Sequence, residues 1–459
     1  EISGIPIKMK RKDFLKSGLA VSVGGLMIPR WIHPLLAQTE ILREPNLNRV
    51  LVMINLGGGI DGLNTVVPFG DDEYYNHRPS ISISPGDVLA INDNQGFHPN
   101  LAPLMDLWND GKMGIIQNIG YVNQNLSHFR STDIWRSATD VDVVLNTGWV
   151  GRYLETVYSD YITNPPINPL ALQQGSSNSL LLTGENGVPG VIVDDPSIFY
   201  ALVGETYESE YDYNPPETLG GDELSYIRQI DTNSFNYAEV IQNASEVGSN
   251  TVEYPNTYLG TQLAIIARLM SGGMYTPFFM AHHYGYDTHA NQLNDHGNLL
   301  SDLAGSISAF QQDVANLGID KEILTMTTSE FGRRPFENGS NGTDHGAGAP
   351  HFMFGYRVKG GFYGNMPDLF NFDNNGNLIH EFDFRQIYTT LLKHWFNTPS
   401  DSVDSILFDQ FDTIPILDTY QEDPLAEEDP IQRSSDGDLL PVEYALYPAY
   451  PNPFNATTT

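Results

Sequence analysis

The chain has 459 residues, and 23 Lys and Arg against 57 Asp and Glu leave a formal net charge of −34. A surface that acidic repels phosphate backbones, which excludes general nucleic-acid binding. With no Cys there is no disulfide framework, thiolate zinc site, iron–sulfur cluster or thiol nucleophile, and 40% hydrophobic residues mark a globular chain.

Residues 1–38 open with the bases Lys8, Lys10, Arg11, Lys12 and Lys16, followed by an apolar, Gly-rich run over 17–28. A basic head and a short apolar stretch have the layout of an export signal. The run is too short to span a bilayer. Arg11-Lys-Asp-Phe-Leu-Lys16 resembles a twin-arginine signal with Lys12 in place of the second Arg.

From residue 45 to 400, apolar runs alternate with helical patterns. The runs at 51–56, 114–119, 276–281, 323–328 and 352–356 suit strands buried on both faces. Helical spacing is clear over 258–270, 293–317 and 384–396. This alternation predicts an α/β domain, a three-layer α/β/α sandwich with a largely parallel central sheet. Ligands of such sheets bind beyond the carboxyl ends of the strands. Residues 160–255, with Asn164-Pro-Pro166, Asn214-Pro-Pro216 and Gly220-Gly221, break the alternation and are expected to form an irregular insertion or lid.

The strand-end loops carry hard oxygen and imidazole donors: Asp61, Asp287, His289, Glu330, Asp344 and His345. Gathered at one sheet edge they suit one or two divalent ions, with Zn, Mn, Mg and Ca all chemically compatible. A cation there would relieve the repulsion among the carboxylates. Two ions would clamp the attacking and leaving oxygens of a phosphoryl or sulfuryl transfer. Ser127-His128 supplies the candidate catalytic pair. Ser127 is expected at the N-terminus of a helix over 129–137, where a Ser caps the helix and the backbone favours anions. Gly57-Gly-Gly-Ile-Asp-Gly62 lacks the spacing of a dinucleotide fingerprint and the Lys of a phosphate loop, and no Gly-x-Ser-x-Gly elbow is present.

Residues 401–440 hold twelve acids against Arg433 and are expected to be a solvated acidic linker. Beyond it, residues 441–459 include Tyr450-Pro-Asn-Pro-Phe-Asn455. That segment resembles the opening strand of the C-terminal sorting domain of the type nine secretion system. Both ends imply export, to periplasm, cell surface or medium, with export and outer-membrane secretion machinery as partners.

Five blocks in order, Gly57-Gly-Gly-Ile-Asp-Gly-Leu-Asn64, Asn125-Leu-Ser-His-Phe-Arg130, Gly285-Tyr-Asp-Thr-His-Ala-Asn-Gln292, Thr328-Ser-Glu-Phe-Gly-Arg333 and Gly342-Thr-Asp-His-Gly346, resemble the domain-of-unknown-function 1501 family. That family is an outlying relative of the alkaline phosphatase and sulfatase superfamily. The resemblance implies a metal site at the strand ends, with Asp61 as first-strand ligand, Ser127 near the nucleophile position, Asp287 and His289 on one metal, and His345 as the late ligand. Glu330 stands where the superfamily has an Asp-His pair, and Phe331 takes the place of that His. The absence of Cys and of Ser-x-Pro-x-Arg closes the formylglycine route of ordinary sulfatases. The function expected is an exported, metal-dependent hydrolase of phosphate or sulfate esters, small-molecule or polysaccharide. The alternative is a non-catalytic surface or secreted binding protein on the same fold.

Overall fold

The computed structural model describes residues 49–162, 164–175, 179–204 and 218–418. The leader-like segment 1–38 and the tail from 441 lie outside the described residues, as does nearly all of the expected linker beyond 418.

Val50–Gly57 (β1) is the central strand because both of its faces are apolar. Val50, Val52, Ile54 and Leu56 enter one core, and Leu51 and Met53 enter the other. Met113–Gly120 (β2), Ala171–Gln174 (β3), Gly190–Val193 (β4), Phe278–Tyr284 (β5) and Ile323–Thr328 (β6) join it in one mixed sheet. Gly332–Glu337 (β7) and Thr343–Gly346 (β8) form a separate hairpin. Ala349–Phe354 (β9), Gly361–Tyr363 (β10) and Phe382–Asp383 (β11) complete the main sheet. The order is β10-β2-β9-β6-β1-β5-β3-β4, with β11 extending β2. Only β9 runs against its neighbours, so the carboxyl ends of β1, β5 and β6 share one edge.

Helices cover both faces. On one side lie Leu219–Val247 (α3), Tyr258–Ser271 (α4) and Gln292–Asn316 (α5), where Ile241, Leu263, Ile266, Leu303 and Phe310 meet the β1 residues of even number. On the other lie His128–Ser137 (α1), Trp149–Val157 (α2), Phe384–Thr390 (α6) and Ser400–Leu407 (α7). Trp149, Leu154, Ile387 and Ile406 build that second core. The three-layer α/β/α sandwich is therefore the one the strand–helix alternation implies.

Two stretches differ from expectation. Residues 160–255 furnish β3 and β4 to the main sheet and α3 to one helical layer, instead of standing apart as an irregular insertion. The domain also runs past 400. Helix α7 packs on the second core, Ile414, Ile416 and Leu417 are buried, and the Ile416 carbonyl accepts from the Lys359 N–H at 2.8 Å. Acidic residues between 401 and 417 thus decorate a folded edge, because the apolar residues among them recur often enough to reach the core.

Candidate metal centre

The loop after β1 must thread between two other loops, and its glycines make this feasible. Gly58 (φ +123°) and Gly59 (φ +81°) adopt backbone conformations that L side chains rarely take. A Cβ on Gly58 would lie 2.4 Å from the Asp287 nitrogen, and one on Gly59 would lie 2.5 Å from the Phe331 ring. The loops that follow β5 and β6 are thereby drawn together over the strand ends.

Asp287 is the hub. Its Oδ1 accepts from the Arg333 guanidinium at 2.6 Å and lies 3.0 Å from the Nε2 atoms of both His289 and His345. Its Oδ2 lies 3.5 Å from His128 Nε2. Hairpin β7–β8 pairs Arg333 directly opposite His345, which fixes both around the same carboxylate. Arg333 is fully buried, and also donates to the carbonyls of Gly58, Gly59, Tyr286 and Thr343. Burial pushes the Asp287 carboxyl up, but the Arg333 and His345 bonds, with the Arg333 charge, outweigh it and hold it at about 2.

Two of the imidazoles are hydrogen-bonded from behind through Nδ1, and the third has a carboxylate close to that atom. His128 Nδ1 lies 2.8 Å from Glu330 Oε1, His345 Nδ1 lies 2.9 Å from the Leu126 carbonyl, and His289 Nδ1 faces Asp344 Oδ1 at 3.4 Å. A carbonyl or carboxylate oxygen can only accept, so each of these contacts takes a hydrogen on Nδ1; the Nε2 atoms of His289 and His345 lie as close to Asp287 Oδ1, and they offer lone pairs inward once a cation takes the place between them. This is the pattern by which outer acceptors orient histidine ligands of a metal. His128, Asp287 and His345 each bring one donor atom within 4.8 Å of the others. His289 Nε2 lies 3.0 Å from His345 Nε2, so it adjoins the same point. A donor set of imidazoles and one carboxylate fits zinc or a similar divalent ion.

Phe331, at 1% exposure, packs its ring 4.8 Å from that of His128 and 4.5 Å from that of His345. It forms an apolar back wall rather than a further ligand. Glu330 is also buried and accepts from the Gly58 N–H at 2.9 Å, so it acts as an anchor behind His128.

The structure gathers Asp287, His289, Glu330, Asp344, His345 and His128, but it does not bring Asp61 to them. Asp61 is fully buried, and its oxygens accept from the Arg78 guanidinium at 2.9 and 2.7 Å, from the Gln292 amide, and from the Leu63 N–H. Burial pushes its carboxyl up, yet the charges of Arg78 and His296 and the bonds it accepts hold it below the usual range. Asp61 is one half of a buried ion pair. Ser127 stands at the N-cap of α1, exposed, with no side-chain cap bond to the helix. It borders the cluster through its neighbour His128. Arg78 and Arg333 are the residues that sequence reasoning overlooked. Arg333 lay within a conspicuous block beside Glu330, whereas nothing in the spacing tied Arg78 to Asp61.

Residues 222–395 match the model of a family described as a protein of unknown function (DUF1501). No curated protein sequence matches the chain. Among solved structures it is similar to the alkaline phosphatase from the Antarctic bacterium TAB5, at 10% identity and a TM-score of 0.31, covering 69% of this chain and 94% of that one. It is also similar to a sulfatase from Pseudoalteromonas sp., at 13% identity and a TM-score of 0.32, covering 84% of this chain and 77% of that one. A third is the C-terminal periplasmic domain of EcEptC from Escherichia coli in complex with Zn, at 8% identity and a TM-score of 0.31, covering 67% and 73%.

Proposed function

We propose that this chain is an exported, metal-dependent hydrolase of phosphate or sulfate esters, with one divalent ion held by His128, Asp287, His289 and His345. The observation that carries this reading is the inward turn of three Nε2 atoms onto the Asp287 carboxylate, each ring with an oxygen close behind its Nδ1. When bound, a divalent ion supplies Lewis-acid polarisation of an ester oxygen and lowers the pKa of water. The chain's own residues prepare the place. Glu330, Asp344 and the Leu126 carbonyl orient the rings, and Arg333 keeps Asp287 ionised. Ser127, exposed one residue before His128, is the side-chain nucleophile candidate.

A single ion is better supported than two, because Arg78 already occupies the carboxylate expected to serve a second. Export to periplasm, cell surface or medium rests on the leader-like and sorting-domain-like segments. Among the described residues no helix is long and apolar enough to cross a membrane.

Metal analysis of the purified chain, followed by assay on aryl phosphates and aryl sulfates, tests the proposal. It expects about one tightly held divalent ion and turnover that is lost on chelation and restored by the metal. The alternative of a non-catalytic binding protein draws on the Ser127 hydroxyl, which makes no hydrogen bond with any described base. Metal uptake without turnover on either ester would select it, and absence of bound metal would reject the hydrolase.

A further inference from the structure

The sheet has an opening at its other edge. A cavity of about 390 Å³ lies at the amino ends of β1 and β5, between Arg49, Tyr153, Pro277, Phe396 and Ser402. Arg49 is the residue before β1 and Pro277 the residue before β5, and the Leu51 N–H donates to the Pro277 carbonyl at 2.9 Å. The floor is aromatic: Tyr153 of α2 and Phe396 are buried in the second core, with ring centroids 4.7 Å apart. Thr156 and Val157, from the last turn of α2, are exposed at the rim, and Ser402 comes from α7. Arg49 is buried and donates to the Trp395 carbonyl beside Phe396.

The strand pattern says what fits there. Arg49 shares the face of β1 that Leu51 and Met53 present to the second core, since alternate residues of a strand point the same way. Carried two residues back, the same alternation assigns Leu47 to that face. An extended chain spans only ~7 Å from Leu47 to Arg49, which puts Leu47 at the cavity. The residues before it, Glu44-Pro45-Asn46, favour extended backbone, because a residue that precedes Pro is pushed out of the helical region. No Asp or Glu is among the described residues that line the cavity, in a chain of net charge −34. An apolar side chain therefore enters without desolvating a carboxylate, and it covers aromatic surface.

We propose that the cavity is the seat of the chain's own segment 44–48, with Leu47 filling it and the segment strapping the base of the domain as a backward continuation of β1. The seat lies at the strand edge opposite the metal centre, so the strap carries the leader-like residues away from that centre. The inference stands apart from the hydrolase reading.

The absence of Cys makes a clean test, because two introduced cysteines have no native thiol to pair with. In the full chain, Leu47→Cys is combined with Ser402→Cys or with Thr156→Cys. The control combines it with Val122→Cys, exposed beyond the carboxyl end of β2. Mild oxidation should close an intramolecular disulfide in most molecules of at least one cavity pair and in few of the control, since the bond needs Cα atoms about 4.4–6.8 Å apart. Leu47→Asp should lower the melting temperature by about 2–5 °C, and Leu47→Met should melt as wild type does. The proposal is overturned if neither cavity pair closes more readily than the control, or if Leu47→Asp melts as wild type does. A disulfide formed between two chains would also overturn it, and would mark the cavity as a contact between copies.

Discussion

The Nε2 atoms of His289 and His345 lie 3.0 Å apart, while the Nδ1 of each ring faces an oxygen. If both rings are neutral with hydrogen on Nδ1, two lone pairs point at one another beside a third on Asp287. A proton or a metal ion must sit among them, and the geometry is equally suited to either.

It follows that outer anchors control the affinity for metal. Glu330→Gln keeps the size of the side chain but removes the charge that pins the His128 hydrogen to Nδ1. Zinc affinity, measured by competition with a chromogenic chelator, should fall roughly 10–100-fold, with little change in thermal stability. Unchanged affinity would mean that His128 is not a ligand.

Asp61 and Arg78 should behave as a structural pair. Both are fully buried, so Arg78→Met leaves a carboxylate without its counter-charge. Urea unfolding should show a loss of about 3–5 kcal/mol, since breaking a buried pair strands a charge in low dielectric. Asp61→Asn, which retains hydrogen-bonding capacity toward Gln292 and the backbone, should retain the full complement of metal. Loss of metal in Asp61→Asn would restore Asp61 to the ligand set.

Acid should weaken the fold before the carboxylates titrate. Burial pulls His98, His282, His296 and His351 from an ordinary value of 6.5 down to about 4. Between those limits the unfolded chain binds protons that the folded chain refuses. Their contribution to stability is therefore intact above about pH 6.5 and is lost as pH falls toward 4. Replacing His351, whose Nε2 is unpartnered, by Phe should make the decline of urea midpoint with acidity shallower.

The boundary of the domain is also checkable. A chain ending at residue 418 keeps Ile414, Ile416 and Leu417 in the core, and one ending at 408 removes them. The shorter chain also loses the bond from the Ile414 N–H to the Thr390 hydroxyl. It should melt below the longer one, by about 1–2 °C for each kcal/mol lost in a domain this large. Equal melting temperatures would make 409–418 part of the linker.

The layers of this protein were legible from sequence because burial on both faces leaves a continuous apolar run, visible without knowing any partner strand. The same logic located the strand-end loops, and with them Asp287, His289, Glu330 and His345. Strands β3 and β4 were not legible: each has four residues, and they are strands only because β5 offers them an edge. The roles of the two arginines were hidden for a related reason. Arg78 reaches Asp61 from the end of a short helix, and Arg333 reaches Asp287 across a hairpin, so their pairings are facts of folding and not of spacing. Residue type alone determined that carboxylates and imidazoles would meet at the sheet edge. Which carboxylate would be enclosed with its guanidinium as a fully buried pair, and which would face three imidazoles as well as Arg333 at the surface, was decided by tertiary packing, because charge in a low-dielectric interior is settled by the nearest counter-charge.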